Sequence, residues 1–195
     1  MQTLSRDDLM SLEAYAEKRA EYRLEVLAHK KLRQVALGEN ATLYFEDRTT
    51  IQYQVQEMLR IERIFEAHAI QEELDAYNPL IPDGSNLKCT AMFEFVDVGE
   101  RRRRLAELTG VENHVWLQVD DLPKVYAFTN EDLERSTDEK TSAVHFMRFE
   151  LTPKMKAALA EGGTISFGVE HDLYRYQVRL NETTRQALLG DLSLN

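Results

Sequence analysis

Helical and β-prone stretches are segregated along this chain, and that segregation constrains its fold more than any single motif does. Long helix-forming stretches dominate the residues before Asn78, whereas strand-like runs cluster beyond the loop "NPLIPDGSN". Such an order does not produce regular βαβ alternation. It predicts an α+β fold in which long N-terminal helices pack on a mostly antiparallel sheet. A chain of 195 residues, 43% hydrophobic and 30% charged, can bury its own core without disulfides, so one domain spanning 1–195 is expected.

The punctuation refines this outline. Ser5 and Asp8 have the spacing of a capping box, with Ser11 as a second possible start, and helix-forming residues continue to about Arg33. "RQVAL" and "TLYFE" flank Gly38-Glu39-Asn40-Ala41 and read as a hairpin. Thr49 or Thr50 can cap a second helix that runs to about Phe65, with "AIQEELDAY" as a separate third. Beyond the proline-rich loop, "LKCTAMFEFVD" reads as a core strand and "GERRRRLAELTG" as a short helix closed by Gly110. Strands follow at "HVWLQV", "KVYAFT" and "AVHFMRFEL", then a helix from Pro153, strands "TISFGVE" and "YRYQVRL", and a final helix capped by Asn181.

The second helix contains an anomaly. At about 100° per residue, Ile51, Val55, Met58, Glu62 and Phe65 share one stripe, which places a carboxylate among apolar side chains. A buried carboxylate needs a cation, hydrogen-bond donors or a proton. On the first helix, Leu9, Leu12, Ala16, Ala20 and Leu27 form an apolar stripe that contains Arg23, with Arg19 and Lys30 at its edge. Glu62 is therefore expected to meet Arg23, or alternatively Arg19, between the two helices. Such a pair can be a structural link, or part of a polar ligand pocket lined by Arg23, Lys30 and Glu62.

The remaining chemistry-bearing residues narrow the choices. The five histidines lack HxxxH, HExxH and Glu-x-x-His spacings, and Cys89 is the only cysteine, so no metal site and no cofactor such as haem, flavin or an iron–sulfur cluster is expected. Cys89 itself reads as a buried, inert thiol. Walker, GxGxxG and GxSxG motifs are also absent, and no reaction is indicated. His145 alternates with Met147, Phe149 and Leu151 on one strand face, while Arg148 shares the other with Val144, Phe146 and Glu150. Both are further candidates for ligand binding.

A net charge of −10 opposes affinity for nucleic acid or anionic membranes, and acidic neighbours offset the arginines of "ERRRRLAEL". No apolar run reaches the roughly 18 residues of a membrane helix, and "MQTLSRDDLM" has no signal-peptide pattern. A cytoplasmic protein is the expectation.

The stretches "LYFEDRTTIQYQVQEMLRIERIF", "IQEELDAYNPLIPDGSN" and "KTSAVHFMRFELTP", with the opening "LSRDDLMSLEAY", resemble the DUF3501 family of bacterial proteins of unknown function. The resemblance covers nearly the whole chain and supplies no catalytic residues. It implies a genomic neighbourhood of rubrerythrin-like and iron–sulfur, heterodisulfide-reductase-like proteins. An accessory protein that binds a component of such a redox or peroxide-defence system is one expectation from it. The alternative is a small-molecule-binding protein or enzyme whose polar pocket gathers Arg23, Lys30 and Glu62 with His145 and Arg148.

Overall fold

Two antiparallel sheets pack face to face, and the N-terminal helices lie on the outer surface of one of them. A computed structural model describes residues 2–129, 131 and 140–194. The five-stranded sheet has the order β1 (Gln34–Ala36), β2 (Ala41–Phe45), β3 (Asn86–Phe93), β7 (Val144–Glu150) and β6 (Phe128–Thr129). The four-stranded sheet has the order β5 (Val125–Tyr126), β4 (Val115–Val119), β8 (Ile165–His171) and β9 (Tyr174–Arg179). The expected single strand "KVYAFT" is thus two: β5 pairs with β4 and β6 with β7, so the chain changes sheet at Ala127. At that corner the Ala127 N–H donates to the Val115 carbonyl at 2.9 Å.

Strand alternation builds the core between the sheets. Leu43 and Phe45, Cys89 and Ala91, and Met147 and Phe149 point inward from one sheet; Val115, Leu117, Phe167 and Val169 point inward from the other. Phe167 touches the rings of Phe45 and Phe149 at centroid distances of 5.0 and 5.3 Å. Two short helices, α5 (Pro153–Ala160) and α6 (Glu182–Leu189), add Met155, Leu159 and Leu188 to this core. On the outer face of the four-stranded sheet, Trp116 lies where a side chain at Gly168 would have to go, so glycine is required there.

The helical layer begins at α1 (Leu12–Lys31), whose N-cap Ser11 accepts from the Ala14 N–H. The Ser5–Asp8 capping box is present but opens only a single 3-10 turn, Arg6–Asp8. In α2 (Arg48–Glu62) the cap is Asp47, with Thr50 returning the bond to the Asp47 N–H. The helix closes at Arg63 in the left-handed conformation, φ 56°. It is followed by α3 (Ala67–Tyr77), and α4 (Val98–Glu107) carries the arginine run. Leu4, Ile51, Val55, Leu59, Leu74 and Ile81 form a second, smaller cluster within this layer.

Helix α1 sits in a different phase from the expected one. Its buried side is Tyr15 and Val26, with Arg19, Tyr22 and His29 half-buried beside them, and Ala16, Ala20 and Leu27 are exposed. The helix lies on α2 through aromatic and charged side chains. The rings of Tyr15, Tyr22 and Tyr53 contact edge to face, and small alanines leave the other side without a packing surface. Among the described residues, no helix is long and apolar enough to cross a membrane.

Candidate functional site

The outer face of the five-stranded sheet and the helices above it do not close completely. The register aligns Tyr44, Thr90 and Phe146 in one row across β2, β3 and β7, with Lys88 and Arg148 paired two residues away. Above this surface stand Leu27 and Lys30 of α1, Ile51 and Gln54 of α2, and Tyr77 and Leu80 around the end of α3. Two adjoining cavities of about 430 and 530 Å³ result, both lined by Glu46, Leu80 and Phe146.

Glu46 lies immediately after β2, on the same face as Thr42 and Tyr44 by the two-residue repeat. Its two carboxylate oxygens accept from the hydroxyls of Thr90 at 2.8 Å and Thr50 at 2.6 Å. In the smaller cavity Arg148 is held by Glu131, through bonds of 2.9 and 2.6 Å, and by Glu150 at 2.6 Å. These acids keep its guanidinium charged, the Glu131 bonds contributing most. Lys88 donates to the carbonyls of Pro79 and Ile81 at 2.7 and 3.0 Å, and burial lowers its pKa. Cys89 borders this cavity from its place in β3, but its side chain points into the sandwich core, where burial pushes the thiol pKa up.

Behind the cleft lies a buried charge network. Arg33, 2% exposed, donates to the carbonyls of Phe45, Glu46 and Ala187 and to the carboxylate of Asp191. Asp47, the cap of α2, lies 3.5 Å from the same guanidinium and 2.5 Å from His29 Nε2. Burial, with Asp47 adding to it, pushes Asp191 up to about 7 against the pull of Arg33. This network joins the end of α1, the start of α2 and the C-terminal segment.

The residues singled out from sequence do not all converge. Lys30 lines the larger cavity and Arg148 the smaller. His145 is on the opposite face of β7, buried toward the sandwich interior, with Thr141 at 2.9 Å and Glu112 at 3.9 Å. Strand alternation separates it from Arg148. Arg23 is exposed and donates to the Tyr53 hydroxyl at 2.9 Å, outside both cavity linings.

Glu62 is exposed, and the expected bond to Arg23 is not made. It is the last residue of α2, beyond the packed part of the stripe. The link between the helices is made by Glu57, which accepts from Arg19 at 2.7 and 2.8 Å and from the Tyr15 hydroxyl at 2.6 Å. These bonds, Arg19 first, hold the Glu57 carboxyl down at about 2. The alternative partner Arg19 is therefore the one used, by a different glutamate.

Glu46, Glu57, Arg33 and Asp191 are the polar groups that sequence reading missed. Glu46 had a usable signal, since Thr42, Tyr44 and Glu46 alternate with inward-facing Leu43 and Phe45. Arg33 and Asp191 had none, because 158 residues separate them. Among the described residues, no group of three or more His, Cys, Asp or Glu side chains is arranged to hold a metal ion.

Fold and cleft together define an α+β protein whose two-sheet sandwich carries a helical layer standing partly off one sheet. The chain belongs to the family described as "Protein of unknown function (DUF3501)", whose pattern matches residues 3–192. It is similar, at 52% identity and a TM-score of 0.93, to a crystal structure of a "novel protein of unknown function" from Burkholderia pseudomallei K96243. That likeness covers 98% of this chain and 100% of the other. No curated protein matches the chain.

Proposed function

We propose that this protein binds a small molecule in the cleft between its helical layer and the five-stranded sheet. The observation that carries the reading is the pair of adjoining cavities, about 430 and 530 Å³, that share Glu46, Leu80 and Phe146. Each falls in the size range of ligand sites, roughly 300–1,000 Å³, and each combines apolar walls with a few polar groups. Arg23, Glu62 and His145 have no part in this site; Lys30 and Arg148 do.

The test is a cellular small-molecule extract passed over the purified protein, with bound species identified by native mass spectrometry. Phe146→Trp serves as a variant that fills the shared wall. A species retained by the wild type and lost in Phe146→Trp is the expected result. Retention that is indifferent to this substitution, or no retention, overturns the reading.

The net charge of −10 supports a second reading, association with a basic surface of a redox partner. The family resemblance suggests rubrerythrin-like and iron–sulfur proteins as the ones to try. An association rate that falls between low and physiological salt is expected; no binding at low salt removes this reading.

A further inference from the structure

We infer that the ligand of the larger cavity is a small zwitterion, an ammonium group and an acid group carried on an apolar body. This rests on the small-molecule reading above and assigns its chemical class. Three cations around the cleft are already compensated. Arg33 is held by Asp191 with Asp47 nearby, Arg148 by Glu131 and Glu150, and Lys88 by two carbonyls.

Two lining charges differ from these. Glu46 accepts from two neutral hydroxyls and makes no ion pair among the described residues. Lys30 has its ammonium 5.7 Å from the Tyr53 ring centroid and makes no ion pair among the described residues either. Both line the larger cavity, and they do not pair with each other.

Glu46 also has a structural duty, since it ties the first turn of α2 to β3 through Thr50 and Thr90. That duty occupies about two of the roughly four acceptor positions of a carboxylate and leaves the others for a ligand. A half-buried carboxylate given only neutral donors is incompletely compensated for its lost water. An ammonium group supplies the missing charge-assisted bonds, and the ammonium of Lys30 does the same for an acid group. Between them, Leu27, Ile51, Leu80, Met92, Val144 and Phe146 give the cavity walls suited to an apolar body.

The test uses isothermal titration with 6-aminohexanoate and L-leucine as two spacings of the charges, and with hexylamine and hexanoate as singly charged controls. At least one zwitterion is expected to bind about tenfold more tightly than either control, the loss of one charged hydrogen bond being about that large. Glu46→Gln should weaken the zwitterion and hexylamine but not hexanoate. Lys30→Met should weaken the zwitterion and hexanoate but not hexylamine. Lys30 is on the helix surface, so its variant remains informative even if Glu46→Gln disturbs folding.

Equal binding of a control and both zwitterions, abolished by Phe146→Trp, would overturn the zwitterion and leave the cleft as a binding site. So would failure of all four probes when the extract yields a ligand lost in Phe146→Trp. Absence of any ligand sensitive to Phe146→Trp overturns both.

Discussion

The sandwich core and the helical layer are assembled by different forces. Between the sheets, aromatic and aliphatic side chains from both sides interdigitate, with Phe167 in contact with the rings of both Phe45 and Phe149. The helical layer has a much smaller apolar cluster and is fixed by directional bonds: Glu57 to Arg19 and Tyr15, Gln56 to the backbone N–H of Met10, and Asn78 to both backbone groups of Leu4. Apolar packing has to be continuous to be stable, whereas polar ties hold at a few points. A layer tied at points can stand off its sheet, which is why the cleft lies there and not inside the sandwich.

The largest expected effect tests the sandwich. Phe167→Ala should cost about 3–5 kcal/mol, because the ring joins both sheets and the cavity left behind cannot collapse without moving one of them. Leu59→Ala, in the smaller cluster, should cost about 2 kcal/mol, the low end for such a truncation, since helices have room to settle. Urea denaturation of both variants checks the contrast. Equal losses would mean that the helical layer is packed as rigidly as the sandwich.

Arg33 is where polar ties and the sandwich meet. Arg33→Met removes the cation from beside Asp47 and Asp191, and should cost about 3 kcal/mol at pH 7 as an uncompensated buried charge. Asp191 gives this region a pH signature. Its folded pKa is raised from 3.8 to about 7, so between those values the folded state holds a proton that the unfolded chain has released. Its stabilising contribution is therefore complete below about pH 4 and is lost as pH rises to about 7. In parallel denaturation series wild type should lose stability relative to Asp191→Asn as pH rises from about 4 to about 7. A gain over that range would mean that Arg33 outweighs burial.

The tie between α1 and α2 should show the opposite sign at smaller amplitude. Glu57→Gln is expected to cost about 1–2 kcal/mol at neutral pH, a charged hydrogen bond discounted for the partial exposure of Arg19. The Glu57 carboxyl is lowered from 4.5 to about 2, so its contribution is present above 4.5 and is lost as pH falls toward 2. Wild type should therefore lose its advantage over Glu57→Gln as pH falls from about 4.5 toward 2, whereas over Asp191→Asn it gains as pH falls from about 7 to 4. If both differences moved the same way, the two regions would not be electrostatically distinct.

The fold was legible where a rule is local. Capping at Ser11 and Asn181, the hairpin around Gly38, the break at "NPLIPDGSN" and the two faces of β7 all follow from residues close in sequence. The division into two sheets was not, because nothing at Ala127 distinguishes a bend between sheets from a continuous strand. The site was legible only in part. The alternation that put His145 with Met147 and Phe149 already separated it from Arg148, whereas bringing Lys30 and Glu46 to one cavity depends on how α1 is laid over β2. A helical wheel records angle and discards position along the axis, and that lost coordinate is what misplaced Glu62.

Glu62 supplies the smallest predicted effect and the sharpest check on this account. It shares the angular stripe of Ile51 and Val55, but α2 ends there and the side chain is exposed. The Glu73 carboxyl, raised chiefly by burial, is raised further by Glu62, so the charged neighbour identified for Glu62 repels it. Replacing Glu62 with alanine removes no cation's partner among the described residues and relieves that repulsion. The change in unfolding free energy should stay within about 0.5 kcal/mol, as for an ordinary surface site. A loss as large as that expected for Glu57→Gln would require the end of α2 to be covered in solution, and would move the charged tie between the helices from Glu57 back toward Glu62.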